Sequence, residues 1–182
     1  MKWLIASDIH GSAYYCEKLL ATYRAEDAHR LLLLGDVLYH GPRNDLPEGY
    51  APKQVIAMLN DYRNVILAVR GNCDTEVDQM VLSFPVLADY GILTAGDRLI
   101  YATHGHVYNS DHLPPLTEKD ILLHGHTHVP VCREAADHIY LNPGSVSIPK
   151  ENSPHSYMTL EDGVFLWKDL LTGEVYREFR IT

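Results

Sequence analysis

The sequence predicts an α/β domain of four layers, α-β-β-α, in which two mixed sheets pack face to face. The first half of the 182-residue chain repeats a unit of strand, loop and helix three times, with polar residues after each strand. From about Gly91 the pattern changes to short strands joined by turns. Because no repeat, low-complexity tract or linker separates the two halves, we expect residues 1–182 to form a single domain.

The N-terminal elements are predicted from apolar runs and helical periodicity. An apolar strand begins at Trp3. Residues 12–24 predict an amphipathic helix with Ser12 at its N-cap, because apolar side chains recur there at helical spacing. The run at 30–34 predicts a strand that is buried on both faces. A long proline-containing loop over 37–52, a helix over 53–61 and a third strand over 64–70 complete this half.

The second half of the chain predicts a mostly β structure. Turn sequences at 161–163 and 171–173 join the last three strands as hairpins. The expected strands cover residues 92–94, 98–103, 120–123, 138–141, 156–160, 164–167 and 175–181.

Composition and charge disfavour several classes of protein. With 46% hydrophobic and 21% charged residues, the chain can bury a core of ordinary size. Its apolar runs are far shorter than the ~20 residues of a membrane helix, and we expect neither a membrane anchor nor a signal peptide. Three cysteines without paired spacing favour a reducing compartment, so we expect a cytoplasmic protein. A net charge of −9 argues against nonspecific nucleic-acid binding.

Metal-ligating residue types collect at the ends of the predicted strands. Asp8 and His10 are two positions apart on an extended segment, so both side chains point to one place. Six of the eleven histidines lie between positions 104 and 128, and imidazole is a common ligand of transition metals. Taken singly, each of these residues is better explained as a helix cap, a turn residue or a core histidine. Taken together they favour a metal site, and the set is Asp8, His10, Asp36, Asn72, His104, His126 and His128.

The order of these motifs resembles that of the calcineurin-like metallophosphoesterase superfamily. The matching blocks are Asp-Ile-His at 8–10, Gly-Asp at 35–36, Gly-Asn-Cys-Asp at 71–74, the isolated His104, and Gly-His-Thr-His at 125–128. Thr-His-Gly-His at 103–106 and Asn-Pro-Gly-Ser at 142–145 look like the small, single-domain YfcE-type phosphodiesterase branch. The resemblance implies the metallophosphoesterase fold and a metal-dependent hydrolase of phosphodiesters.

The resemblance also implies a centre with two divalent ions. Asp8, His10 and His128 would hold one ion, and Asp36 would bridge it to a second ion held by Asn72, His104 and His126. Oxygen and nitrogen ligands without thiolates suit manganese, iron, zinc or nickel, and manganese is our first choice. Such a centre lowers the pKa of water, so that a hydroxide can attack phosphorus in line without a protein nucleophile.

Four further residues are candidates for the site: Arg43, Cys73, Asp74 and His106. Arg43 could contact a phosphate oxygen, although pairing with Asp45 or Asp74 is an equal alternative. Asp74 is expected to orient a neighbour, and His106 either to hydrogen-bond a metal ligand or, less favoured, to face the substrate.

Cys73 stands where many members of the superfamily have a histidine that is implied to protonate the leaving oxygen. A thiol is a poor match for that role. General acid catalysis contributes ~10²–10⁴-fold, so we expect diesters with good leaving groups to be cleaved well and monoesters poorly or not at all.

Two other functions fit a fold of this kind. A catalytically idle scaffold for protein-protein interaction is the first, but all seven ligand positions carry competent side chains. A nuclease is the second, and the acidic chain has no Lys/Arg-rich strip to grip an extended polynucleotide. We therefore expect a small-molecule phosphodiester as the substrate and no membrane partner. Aromatic residues expected on the surface, as candidates for a homo-oligomer interface, are Tyr14, Tyr39, Tyr108 and Trp167.

Overall fold

Two mixed β-sheets form the centre of the protein, and this confirms the predicted α/β sandwich. The computed structural model describes residues 1–181. One sheet has six strands in the order β11-β10-β9-β1-β2-β3, and the other has five in the order β4-β5-β6-β8-β7.

The six-stranded sheet combines a parallel and an antiparallel half. Strands β1, β2 and β3 are parallel neighbours, with Ile5 opposite Leu32 and Leu32 opposite Leu67. Strand β9 pairs with β1 in the antiparallel sense and continues into β10 and β11. The strands are β1 (Trp3–Ala6), β2 (Arg30–Leu33), β3 (Ile66–Ala68), β9 (Ser156–Glu161), β10 (Val164–Asp169) and β11 (Val175–Arg180).

The five-stranded sheet has a parallel centre between two antiparallel edge strands. Strands β5, β6 and β8 run parallel, while β4 and β7 are antiparallel to their neighbours. Strand β7 was not predicted, because it is an edge strand with little buried surface and begins at a proline. The strands are β4 (Tyr90–Ala95), β5 (Arg98–Thr103), β6 (Ile121–Leu123), β7 (Pro130–Glu134) and β8 (Ile139–Pro143).

Helices cover the outer face of the six-stranded sheet. Helix α1 (Ala13–Ala25) begins as predicted at Ser12, whose side chain accepts the Tyr15 N–H at 3.2 Å. Helix α2 (Pro52–Asp61) buries Val55 and Leu59 in an apolar cluster that also contains Leu19 of α1. Helix α3 (Glu76–Val81) supplies the helix of the third predicted unit, for which the sequence analysis sets no bounds, and none of its six residues is buried.

A second apolar cluster lies between the two sheets. It joins Ile5 and Leu32 of the first sheet to Ile100 and Ile121 of the second. Trp167 belongs to this cluster and is fully buried, so the prediction that it lies on the surface was wrong. Trp167 lies in a strand with apolar residues at successive positions, so the sequence does not show which face of the strand is buried. The Nε1–H of Trp167 donates to the carbonyl of Asn142 at 2.7 Å.

Aromatic rings cover part of the outer face of the five-stranded sheet. The ring of Tyr108, in the loop after β5, packs edge-on against Tyr101 of that strand. Across the described residues, the helices are too short or too polar to cross a lipid bilayer.

Candidate metal centre

All seven predicted ligands follow the carboxyl ends of parallel strands. Asp8 and His10 follow β1, Asp36 follows β2, and Asn72 follows β3. From the second sheet, His104 follows β5, and His126 and His128 follow β6. Parallel strands place their carboxyl ends at one edge, where α/β folds place their sites. The two packed sheets therefore bring residues from opposite ends of the chain to a single point.

The backbone is strained at this point. Five of the seven predicted ligands have positive φ angles between 49° and 65°, a region that residues other than glycine seldom adopt. Strain of this kind costs of order 1–3 kcal/mol for each residue and collects at functional sites. The five residues are Asp8, His10, Asp36, His126 and His128.

Asp8, His10 and His128 form the first group of ligand atoms. Nε2 of His128 lies 3.3 Å from Oδ1 of Asp8, and Nε2 of His10 lies 3.6 Å from the same oxygen. The two Nε2 atoms are 3.3 Å apart. All three residues are buried, and their ligand atoms lie within 4.8 Å of one another.

Asp36 lies between this group and a second one. Its Oδ2 is 3.7 Å from Nε2 of His10 and 3.4 Å from Nε2 of His104. Nε2 of His104 in turn lies 3.1 Å from Oδ1 of Asn72 and 3.1 Å from Nδ1 of His126. The Asp36 carboxylate thus lies between two groups of side chains that could each hold a metal ion.

Backbone carbonyls orient three of the histidines. Nδ1 of His10 faces the Tyr39 carbonyl at 2.7 Å, Nδ1 of His104 faces that of Leu34 at 2.6 Å, and Nδ1 of His128 faces that of Ile148 at 2.6 Å. A carbonyl accepts a hydrogen bond, so in each neutral ring the proton sits on Nδ1. The lone pair on Nε2 then points into the centre, as in other histidine metal sites.

The donor set fits divalent cations. Oδ1 of Asp8 is buried and has no hydrogen-bond partner within residues 1–181. Burial would raise the pKa of Asp8, but its interaction with His10 and the charges of His104 and His128 hold that pKa well below its usual range. Burial would likewise lower the pKa of His104, yet its bond to Asp36 and the charge of Asp8 raise it to about 9. The carboxylates therefore draw positive charge to this point, and a bound cation would displace the protons that otherwise supply it.

The segment from Asn142 to Ser147 supports the centre from behind. Nδ2 of Asn142 lies 2.9 Å from the Gly125 carbonyl and 3.0 Å from Oγ1 of Thr127, which flank His126. The hydroxyls of Ser145 and Ser147 both donate to the Asp8 carbonyl, at 3.0 and 2.9 Å. The Asn-Pro-Gly-Ser motif thus fixes the loops that carry the ligands.

Two glycines permit the close approach of these loops. A Cβ atom on Gly125 would lie 1.9 Å from Oγ of Ser7 and 2.8 Å from Oδ2 of Asp8. A Cβ atom on Gly71 would lie 2.1 Å from Oδ1 of Asp36. Any side chain at either position would displace a carboxylate.

Comparison with known proteins identifies the family. The family model of the calcineurin-like phosphoesterase superfamily domain matches residues 1–162. The chain belongs to this superfamily. This phosphoesterase is 48% identical to phosphodiesterase YfcE of Escherichia coli K12 over 164 residues, which cover 90% of this chain and 89% of YfcE. It is also 26% identical to the probable metallophosphoesterase YsnB of Bacillus subtilis, over 89% of this chain and 86% of YsnB.

The solved structures agree with this assignment. The structure of YfcE, described as a phosphoesterase from E. coli, matches with a TM-score of 0.96 and 44% identity, covering both chains fully. The vacuolar protein sorting 29 of Cryptosporidium parvum matches with a TM-score of 0.63 and 21% identity over 98% of this chain and 97% of its own. The second likeness shows the fold alone. The predictions of family, fold and hydrolase class are confirmed.

In this phosphoesterase Asp74 positions the backbone of the centre. Its carboxylate accepts the backbone N–H groups of Asp36, Val37 and Gly71, at 2.8, 2.9 and 2.7 Å. The prediction that Asp74 orients a neighbour agrees with these bonds, whereas a direct catalytic role does not, because both oxygens are engaged away from the cleft.

Cys73 lies at the edge of the centre. Its backbone N–H donates to Oδ1 of Asp36 at 2.8 Å, and its Sγ atom accepts a hydrogen bond from Nδ2 of Asn72 at 3.3 Å. Burial raises the pKa of this thiol further above its usual range, as do the nearby charges of Asp36 and Asp74. The thiol therefore stays neutral and is a weak proton donor.

A cleft of about 430 Å³ opens over the ligands, and two exposed cations line it. Arg43 has no carboxylate within ion-pair distance in the described part of the chain, so pairing with Asp45 or Asp74 was not the correct alternative. Lys150 lies on the other side, next to His128, whose carbonyl accepts its N–H at 3.2 Å. Lys150 was not predicted as a site residue, since no motif includes it.

His106 differs from the expectation for it. His106 is exposed and forms no hydrogen bond to another described side chain, so the favoured prediction of a bond to a metal ligand was wrong. Its backbone places it beside His104, with ring centroids 5.4 Å apart, facing open space. The nearby His124 is buried, and its ring stacks on that of Tyr140 with the centroids 4.3 Å apart.

Proposed function

We propose that this protein is a cytoplasmic, metal-dependent phosphodiesterase that cleaves small-molecule phosphodiesters. The observation that carries the proposal is the pair of adjacent ligand groups with Oδ2 of Asp36 between them, in a chain 48% identical to a named phosphodiesterase. Asp8, His10 and His128 would hold one ion, and Asn72, His104 and His126 a second, with Asp36 shared. Carboxylate, imidazole and amide donors suit manganese first, and also iron, zinc or nickel.

Divalent ions at such a site would supply Lewis acidity, lowering the pKa of water and stabilising charge on phosphate oxygens. The protein holds the ligands rigidly through the carbonyls behind His10, His104 and His128. Because these contacts are made before substrate arrives, little reorganisation is needed during the reaction.

Arg43 and Lys150 would bind the phosphate oxygens that face the cleft. Both side chains are exposed, line the cleft and have no carboxylate partner within residues 1–181. A guanidinium matches two phosphate oxygens and an ammonium acts as a point charge, so the two residues differ in what they contribute. They also offset the charge of −9, which would otherwise repel an anionic substrate.

The surroundings of the cleft favour diesters with good leaving groups. Cys73 is a weak proton donor at the position where many members of the superfamily carry a histidine. A leaving oxygen that needs no protonation, such as an aryl oxide, avoids this deficit, whereas an alkyl monoester does not. We therefore infer that phosphomonoesterase activity is weak or lacking.

Hydrolysis of bis(p-nitrophenyl) phosphate tests this proposal. With added Mn²⁺ we expect turnover well above that of an alkyl phosphomonoester. Asp36→Asn should lower kcat/KM by more than about 100-fold. Substitution of a residue that only hydrogen-bonds a metal ligand already lowers activity about 10–100-fold, and Asp36 is itself a proposed ligand. Asp162→Asn, in the exposed turn between β9 and β10, is the matched control and should leave the rate unchanged.

Two results would contradict the proposal. A faster reaction with the alkyl monoester than with the aryl diester would show that the leaving group is protonated after all. Binding of metal without hydrolysis of any ester would favour the idle scaffold.

A further inference from the structure

A second depression adjoins the metal cleft. It has a volume of about 390 Å³, and His126 and Thr127 line both spaces. These two residues of the Gly-His-Thr-His loop form a wall common to both spaces, and we call the two adjoining spaces together the groove. His106, Asp111, Arg133 and Tyr140 line only the second depression, which we call the far end of the groove. An ester arm leaving the metal centre over His126 would enter this far end.

Arg133 is held in place by a stack of side chains. Its guanidinium lies over the ring of Tyr140, 5.4 Å from the centroid, and Tyr140 stacks on buried His124 at 4.3 Å. Arg133 and Tyr140 are also direct partners across β7 and β8. In addition, Nη2 of Arg133 donates to Oγ of Ser110 at 3.0 Å. Less rotational freedom is then lost when this side chain binds a ligand.

The charge of Arg133 is not neutralised. No carboxylate of residues 1–181 lies within ion-pair distance of its guanidinium, whereas Lys2, Lys168 and Arg180 all have carboxylate partners. In a chain with a net charge of −9, an anchored guanidinium without a carboxylate partner at the end of a groove is suited to bind an anion. Its planar fork matches two oxygens of a phosphate group.

We propose that the far end of this groove binds a second phosphate group, carried on one ester arm of the diester, through Arg133. This inference rests on the proposed function and narrows it, since the preferred substrates become diesters of phosphorylated alcohols, such as a nucleoside that carries a further phosphate. Asp111 is the acidic residue that lines the same space, and its charge weakens the binding of that phosphate.

A pair of chromogenic nucleotides provides the kinetic test. Thymidine 5′-(p-nitrophenyl phosphate) and the same compound with a 3′-phosphate share the leaving group and the reacting phosphorus. With the Mn²⁺-loaded protein, we expect the 3′-phosphate to lower KM about 10-fold, as a charge-assisted bidentate contact would. Arg133→Gln should abolish the difference between the two substrates. Arg63→Gln, an exposed arginine beyond α2, is the matched control and should preserve it.

Calorimetric titration tests binding independently of turnover. Thymidine 3′,5′-bisphosphate should bind about 10-fold more tightly than thymidine 5′-monophosphate, and added salt should reduce this ratio. Asp111→Asn should increase the ratio, because it removes the opposing charge without disturbing Arg133.

The outcomes separate this proposal from the proposed function. Equal KM values for the two substrates, or an equal ratio in wild type and Arg133→Gln, would overturn the second phosphate site. Tighter binding of the bisphosphate without hydrolysis of either ester would refute the phosphodiesterase while leaving the site in place.

Discussion

Asn142 offers the sharpest test of how the loops hold the metal ligands. Its Nδ2 lies within 3.0 Å of three acceptors, the Gly125 carbonyl, Oγ1 of Thr127 and the hydroxyl of Tyr140. Its Oδ1 accepts the N–H of Gly144 at 2.8 Å. The residue is fully buried, so no solvent replaces these bonds when the side chain is removed. The substitution Asn142→Ala should therefore affect both stability and metal binding.

The magnitude follows from the number of bonds lost. A buried amide left without a partner costs about 1–3 kcal/mol, and each ordinary hydrogen bond contributes about 1 kcal/mol. Loss of the Gly144 contact and of two donated bonds should lower the free energy of unfolding by about 3 kcal/mol. Misplacement of the loop around His126 should weaken metal binding 10–100-fold, or about 1.4–2.8 kcal/mol.

Two measurements check this prediction. Urea unfolding in the presence of a chelator gives the stability of the metal-free protein, and competition with a chromogenic chelator gives the Mn²⁺ affinity. Asn64→Ala, at an exposed position before β3, is the control and should change neither quantity. If Asn142→Ala bound Mn²⁺ within twofold of the wild type, the claim that this side chain positions the ligand loop would be refuted.

Two other predictions follow from single residues. Cys73→His places an imidazole beside the cleft and should raise hydrolysis of an alkyl phosphomonoester at least about 10-fold, as measured by release of inorganic phosphate from glycerol 3-phosphate; no gain would mean that position 73 is not near the leaving group. The second prediction is that Glu26 makes the stability of the protein depend on pH. Burial would raise the pKa of its carboxyl group, but hydrogen bonds from Lys168 (2.6 Å), Lys2 (2.7 Å) and Tyr157 lower that pKa from 4.5 to about 2. That depressed pKa corresponds to at most about 3 kcal/mol, which solvent screening reduces to about 2 kcal/mol of stability for the charged form. This stability is fully present above pH 4.5 and is lost as the pH falls towards 2, so Glu26→Gln should be about 2 kcal/mol less stable at pH 7 and equal to wild type near pH 2 in urea unfolding. A pH-independent deficit in the stability of Glu26→Gln would contradict the linkage.

The convergence of the ligands could be predicted because it depends on strand order. Asp8, Asp36 and His126 each follow a short apolar run, and parallel pairing then places them at one edge. The strained conformations could not be predicted, since a positive φ at Asp8 or His126 is imposed by tertiary packing and leaves no mark in the local sequence.

The groups that orient the histidines could not be predicted either, because they are backbone atoms that every residue has. The acceptors behind His10, His104 and His128 are backbone carbonyls, so no residue type signals them. Lys150 and Arg133 reach the groove from a loop and an edge strand, and neither belongs to a motif.

The prediction for Trp167 failed for a different reason. Strand β10 has apolar residues on both faces, and only the pairing with β9 decides which face is buried.

The central claim is that seven side chains form one site for two cations. Native mass spectrometry of the protein titrated with Mn²⁺ tests it most directly, because it counts the ions bound to each chain. We expect two ions for the wild type and a loss of at least one for Asp36→Asn, whose carboxylate lies between the two ligand groups. A wild-type protein that binds no ion, or an Asp36→Asn variant that still binds two with unchanged affinity, would contradict the account.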